Sequence, residues 1–367
     1  MTQGGLMNFR AVNRFLDNFQ NFFAAQITAF PVGEWVADVR VFEFLKLNVS
    51  TAATGSVLGS RVFDINSEFI EAFWEFEPFG ESLSFGLPKW LNRKGVAARE
   101  RFRLMCCKWF EAVDQEYDWD GSSAGDSPEW EPILGARVSR ELAKWAKSFD
   151  FSIDSVGAAY GLLLFGLHAN TVPTCAWMVF EIIKDPALYR AVMEEISQAQ
   201  ITDSPQTGAL NYQTLASMPL LQSVYTEVLR VHTSILLTRT ATEEVTLGGT
   251  PNHPASEFWA YRHVKSLEKT YDACETPNQF EFSMAGRDDC LFPFGGGRNI
   301  CPGRNMAKPE VLLTVAIIFS RFEVEFIGWI NSDGSHSDRP AADNQGYASA
   351  VITPPDKEMI VKWRRTW

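Results

Sequence analysis

The sequence predicts a mainly α protein with small β-sheets, and three observations carry that reading. Apolar residues recur at helical spacing through most of the chain up to His232. Helix start signals punctuate that stretch, among them Asp185-Pro186 and Pro219. Short runs rich in β-branched and aromatic residues gather only afterwards, at Thr242–Leu247, 322–328 and 358–364.

Taken in order, the spacing predicts helices over 8–28, 34–50, 66–76 and 96–116. Asp118 to Gly135 is acidic and rich in Ser, Gly, Pro and Trp, and reads as a surface loop. A helix over 137–148 precedes a long one over 152–184, which Asp185-Pro186 ends. A further helix, 186–199, carries Leu188, Val192 and Ile196 on one face. Leu210 to Met218 is a connector, and Pro219 opens a helix to His232. Residues 250–290 read as irregular and 304–320 as an apolar helix. No linker divides the chain, so 1–367 is expected to be a single domain.

Composition narrows the function. Of 367 residues 46% are hydrophobic, with 28 Phe and 12 Trp, enough for a large core or an apolar cavity. The formal net charge of −12, without a basic stripe, argues against nucleic acid as a partner. Six scattered cysteines, two of them adjacent at Cys106-Cys107, make no disulfide framework and suit a reducing compartment. Met1 to Phe30 is amphipathic but interrupted by Arg10, Arg14 and Asp17, so it reads as neither signal peptide nor anchor. Ser155 to Phe180 lacks Asp, Glu, Lys and Arg. His168, Asn170, Thr171 and Pro173 crowd its middle, which favours a buried helix over a membrane span.

One run stands apart: Phe294-Gly295-Gly296-Gly297-Arg298-Asn299-Ile300-Cys301-Pro302-Gly303-Arg304. Glycines let a main chain approach a planar ligand where a Cβ would collide. A thiolate there needs N–H groups or a helix N-terminus to stay deprotonated. The plainer alternative is a free cysteine on a Gly-rich turn. No second Cys or His lies at zinc spacing. Upstream, Glu227-Val228-Leu229-Arg230 puts an acid and a base on one helix face. Glu100-Arg101-Phe102-Arg103 has the same pattern, so position must discriminate.

The cysteine run resembles the ligand loop of the cytochrome P-450 superfamily, and several other segments agree with it in position. The resemblance implies the P-450 fold with a loop at 290–304, a long distal helix at 152–184, and haem (iron protoporphyrin IX) as cofactor. It makes Cys301 the axial thiolate, which favours O–O cleavage. It also assigns Phe294 and Gly303 to the haem loop. Arg239, in Thr238-Arg239-Thr240, would meet a haem propionate with its guanidinium fork. Asn299 stands where the family usually carries Arg or His, with Arg298 one place earlier as the alternative contact. Glu227 and Arg230 would brace the fold with Arg262, in Glu257-Phe258-Trp259-Ala260-Tyr261-Arg262.

On the long helix, Asn170-Thr171-Val172-Pro173 replaces the family's usual acid–Thr pair. It resembles the branch containing cholesterol 7α-hydroxylase and prostacyclin synthase. Asn170 can hold a water or an oxygen ligand but cannot titrate. Pro173 should bend the helix there. His168 is read as core or cavity lining rather than as a second iron ligand. Arg298, Arg304 and Lys308 are read as a basic patch for an electron donor or as a solvated helix end.

The implied activity is monooxygenation of a bulky apolar molecule (sterol, terpenoid or polyketide-like) in specialised metabolism, with electrons from an NADPH-dependent reductase. Two alternatives stay open: a haem-thiolate isomerase or dehydratase without a reductase, and a non-catalytic remnant. The sequence offers no Trp-x-x-x-Arg helix before the middle helices, and Thr250-Pro251 follows Gly248-Gly249 directly where the family continues with a strand. An N-terminal truncation and an internal deletion are therefore expected. With no transmembrane anchor in the chain, the endoplasmic reticulum surface or the cytoplasm is the expected location.

Overall fold

A computed structural model describes residues 9–84, 86, 88–119, 129–200, 210–234, 253–266, 280–285, 291–297, 300–347 and 351–367. The elements are α1 (Phe9–Ile27), β1 (Trp35–Arg40), α2 (Val41–Leu58), α3 (Arg61–Ile65), α4 (Phe69–Phe76), α5 (Gly80–Ser84), α6 (Arg93–Glu116), β2 (Trp130–Glu131), β3 (Gly135–Ala136), α7 (Arg137–Ser148), α8 (Ile153–His168), α9 (Thr171–Lys184), α10 (Pro186–Ser197), α11 (Tyr212–Leu215), α12 (Pro219–His232), β4 (Val264–Ser266), β5 (Phe280–Phe282), α13 (Arg304–Arg321), β6 (Phe322–Ile330), β7 (His336–Ser337) and β8 (Glu358–Arg365). The fold is mainly helical with small antiparallel sheets, as the sequence predicts. The chain groups into two compact units. One holds Met1–Pro31, Phe42–Val172 and Pro302–Glu310; the other holds Val32–Val41, Pro173–Cys301 and Val311–Trp367.

The first unit is built on aromatic packing. On α1, Phe15, Phe19 and Phe23 recur every fourth residue and are all buried. Their rings lie 6.0 and 5.8 Å apart in succession. Phe23 meets Phe44 of α2 edge-on at 6.2 Å. Each such side chain contributes about 1.5–3 kcal/mol of burial. α6 packs on α8, and Gly157 makes the approach possible: a Cβ there would stand 2.4 Å from Cys107 Sγ. Asn92 caps α6 and Ser152 caps α8 through their side-chain oxygens.

In the second unit a sheet runs in the order β1-β8-β6-β7. β8 pairs antiparallel with β1 from Trp35↔Arg364 to Arg40↔Ile360, and with β6 from Phe322↔Arg365 to Ile330↔Glu358. Asp185 caps α10, with Pro186 at its first turn. Glu195 of α10 then accepts from Leu220 N–H at 2.8 Å and Leu221 N–H at 2.9 Å, which fixes the start of α12.

Two expectations are corrected. The helix expected over 34–50 begins as strand: Trp35–Arg40 is β1, and α2 starts only at Val41. The long helix over 152–184 is two helices, with a turn at Ala169–Asn170. Ala169 stands four residues before Pro173, where the proline ring strikes the carbonyl and supplies no N–H. The strand expected over Thr242–Leu247 lies outside the described residues. Among the described residues, Ile153–Lys184 is the one stretch long and apolar enough to cross a membrane, and 72% of its apolar window is buried.

Candidate haem-thiolate site

Cys301 sits half-buried at the end of a closed backbone loop in the second unit. Its N–H donates to the carbonyl of Phe294 at 2.8 Å, and Gly295 N–H donates to Phe292 O at 2.9 Å. The turn is sharp enough to need left-handed residues. Gly295 has φ +71° and Gly297 φ +63°, conformations that cost other residues dearly. A Cβ on Gly296 or Gly297 would meet no heavy atom within 4 Å, so the loop presents open backbone on that side. Gly303 starts α13: its carbonyl accepts from Met306 N–H and Ala307 N–H, each at 2.9 Å. Cys301 therefore lies just upstream, in sequence, of the positive end of an 18-residue helix.

These residues fit a haem. The loop gives one soft sulfur donor and a backbone with no Cβ at Gly295, Gly296 and Gly297, open on one side at Gly296 and Gly297. Among the described residues there is no group of three or more His, Cys, Asp or Glu that could hold a metal by itself. The iron of a macrocycle brings its other ligands with it and needs from the protein one such sulfur.

The predicted brace is assembled. Glu227 is fully buried, and its carboxylate takes Arg230 Nε at 2.7 Å and Nη2 at 2.8 Å. Arg262 Nε reaches Glu227 Oε1 at 2.8 Å, and the N–H of Trp259 donates to the same oxygen at 2.9 Å. Both guanidinium groups go on to the chain 253–257. Arg262 donates to the carbonyls of His253, Pro254 and Glu257, and Arg230 to those of Ala255 and Glu257. Burial alone would push the Glu227 carboxyl up. The donors Arg230, His263 and Arg262 and the Trp259 N–H outweigh it and hold the group well below the usual carboxylate range. By contrast Glu100, Arg101 and Arg103, the other match to the pattern, are only half-buried, and Arg101 turns instead to Glu68 and Glu75.

Sequence reasoning missed His263. It is fully buried with Nε2 3.4 Å from Glu227 Oε2, a third nitrogen-bearing side chain around one carboxylate. It also missed His232 at the end of α12. That ring stacks on Trp177 at 3.8 Å with planes 6° apart, and its Nδ1 lies 2.7 Å from Asp343 Oδ1. Trp177 Nε1 donates to Thr353 O at 2.7 Å. Neither histidine belongs to a residue pattern; only their adjacency to Arg262 and Arg230 could have pointed to them.

Asn170 and Thr171 belong to the first unit. Asn170 is half-buried in the turn after α8, and buried Thr171 opens α9. His168 is core, as expected: its Nε2 lies 2.8 Å from Thr54 Oγ1 and its ring 5.1 Å from that of Phe73. Burial pushes it down to about 3, so the imidazole is neutral at ordinary pH. Half-buried Phe294 anchors the loop through its carbonyl. Arg239, Arg298 and Asn299 lie outside the described residues. Of the basic patch, Lys308 is corrected: it is half-buried, and burial lowers its pKa, which does not suit a solvated cation.

A cytochrome P-450 family model matches residues 64–329. The chain is 40% identical over 380 residues to the cytochrome P-450 monooxygenase calL of Penicillium decumbens, an alignment covering 97% of this chain and 69% of that protein. It is 29% identical over 226 residues to the cholesterol 7-alpha-monooxygenase of Cricetulus griseus, covering 55% of this chain and 44% of the relative. A crystal structure of a mutant cytochrome P-450DA heme domain superposes with TM-score 0.58 at 15% identity, over 98% of this chain and 74% of that one. That likeness supports the same fold.

Proposed function

Because this chain belongs to the cytochrome P-450 family, whose cofactor is haem, we propose that it forms one haem domain over 1–367 and acts as a haem-thiolate monooxygenase on a bulky apolar molecule. The observation that carries this reading is the Cys301 loop, closed by the bond to Phe294 and turned by left-handed glycines. Haem, when bound, supplies the activation of molecular oxygen and the insertion of one atom into a C–H bond. The chain supplies the rest. Cys301 would hold the haem iron through its thiolate sulfur. Phe294 and Gly303 hold the two ends of that loop. Arg239 and Arg298 are assigned to the propionates on their charge and their place in the sequence.

Asn170 and Thr171 are assigned by the family resemblance to holding a water or an oxygen ligand when the haem is bound. Asn170 donates and accepts without titrating, so protons must come through water or Thr171. The same absence of an acid favours a second reading, rearrangement of an already oxygenated substrate without a reductase. The buried Glu227–Arg230–Arg262 cluster acts as the brace that fixes α12 against 253–262. A sterol, terpenoid or polyketide-like substrate, an NADPH-dependent reductase, and a place in specialised metabolism at the endoplasmic reticulum surface or in the cytoplasm complete the proposal. The names of the relatives support monooxygenation, and the cholesterol 7-alpha-monooxygenase supports a bulky alicyclic substrate.

The test is the reduced, carbon monoxide-difference absorption spectrum of the purified chain beside Cys301→Ala. A strongly red-shifted Soret band that the variant lacks is expected. No haem uptake, or a band typical of neutral ligation, refutes the reading. Product formation without NADPH or reductase would favour the rearrangement.

A further inference from the structure

Helix α7 starts without a cap. Ala136 precedes it and offers no side-chain acceptor, none of the bonds among the described residues caps its first-turn N–H groups with a side chain, and that turn holds no acid. Such N–H groups have no intrahelical acceptors and carry the positive end of the helix dipole. One is met from the loop, Arg137 N–H donating to Glu129 O at 3.1 Å. Against this end lies a cavity of about 20 Å³ within the first unit, with Arg14, Asn18, Ser56, Glu129 and Arg137 in its wall. Arg14 and Asn18 are one turn apart on α1 and share a face.

Asn18 decides what the cavity is for. The residue is only 9% exposed, and its Nδ2 makes no hydrogen bond. Buried polar groups in folded proteins almost always find a partner. Ser56 in the same wall donates its hydroxyl to Ala52 O at 2.7 Å, and Asn18 Nδ2 makes no bond to it. The charges in the wall are two guanidinium groups against the single carboxylate of Glu129, and Asp17 beside Arg14 faces it from the same helix. The volume suits one sphere of water size or slightly larger and is too small for a tetrahedral oxyanion.

We infer that this cavity binds a small monovalent anion of halide size, held by Asn18 Nδ2, the guanidinium rim of Arg14 and Arg137, and the N-terminal end of α7. A water would satisfy Asn18 but would bring no negative charge to the helix end, in a wall that holds two guanidinium groups and one carboxylate. The wall draws on α1, α2 and α7 and on Met306 in the first turn of α13, so occupancy ties these elements together. The site lies wholly in the first unit and does not depend on the haem reading.

The probe is bromide. The melting temperature of the full chain is followed as sodium bromide replaces sodium gluconate at constant ionic strength, and bromide is located in crystals by its anomalous scattering. A saturable rise in melting temperature and an anomalous peak beside Asn18 are expected. Asn18→Leu should abolish both, and Arg137→Gln, at an exposed position, should weaken the midpoint several-fold while leaving the fold intact. A rise that does not saturate, a response unchanged in both variants, or a crystal with water at Asn18 overturns the proposal.

Discussion

Substituting Glu227→Gln keeps the shape of the buried brace and removes its charge. The wild-type carboxylate holds Arg262, which is 5% exposed, and the more accessible Arg230 through bonds of 2.7–2.8 Å. A glutamine would turn an N–H₂ group toward one guanidinium, donor against donor, and leave two positive charges with no counter-ion. Removing one partner of a buried pair costs about 3–5 kcal/mol. The whole stability of a domain is about 5–15 kcal/mol, so the variant should fold only marginally. The pH dependence gives a second signature. The folded carboxyl lies below its ordinary value of 4.5. Its contribution is therefore complete above pH 4.5. It is lost as pH falls further, because the unfolded chain then binds the proton first. Each pH unit in that range removes up to about 1.4 kcal/mol. Urea unfolding followed by circular dichroism at pH 7 and at steps down to pH 3 reads both. The two proteins should differ by several kcal/mol at pH 7 and converge below pH 4.5. A gap under about 1 kcal/mol at pH 7, or one that stays constant on acidification, would refute the reasoning.

Four further outcomes are expected. Thr54→Val strips a buried hydrogen bond from His168 and should cost about 1–3 kcal/mol in urea unfolding. His168 titrates near 3 when folded and near 6.5 when unfolded, so wild-type stability should fall as pH drops from 6.5 toward 3. His168→Gln should flatten that limb, and an unchanged slope would deny the burial argument. Gly59→Ala places a Cβ 2.3 Å from the carbonyl oxygen of Pro132 at a φ of +89°, and should lower stability by more than about 1 kcal/mol. Pro173→Ala restores a donor for the Ala169 carbonyl. Hydrogen exchange should then show a protected amide at 173 and slower exchange through 169–173, and no change would mean that something other than the proline opens the turn.

How far the sequence discloses this molecule depends on whether the cause is local. The bounds of α7 and α12 are legible because their patterns are local: alternating faces in 137–148, and a proline that opens 219–232. Trp35–Arg40 is not. Its strand identity comes from β8, more than 300 residues downstream, where Trp35 pairs with Arg364 across a register irregular around Asp38. Apolar spacing that continues into α2 hides that partner, so the segment reads as helix. Pro173 signals a bend in the sequence, and only the backbone shows that it falls four residues back, opening the chain at the residues assigned to oxygen. The same division runs through the candidate site. Glu227 and Arg230 are legible as an i,i+3 pair, and Arg262 follows from family resemblance. His263, however, stands beside Arg262 with no spacing rule to mark it. Its place is fixed by tertiary contacts: its backbone N–H meets Ser223 Oγ at 3.1 Å, and its carbonyl accepts from Ser283 N–H at 2.8 Å. Those two bonds leave the ring facing the carboxylate. A buried glutamate that already holds two arginines has no need of a further ion pair, and the sequence pattern had no reason to include His263.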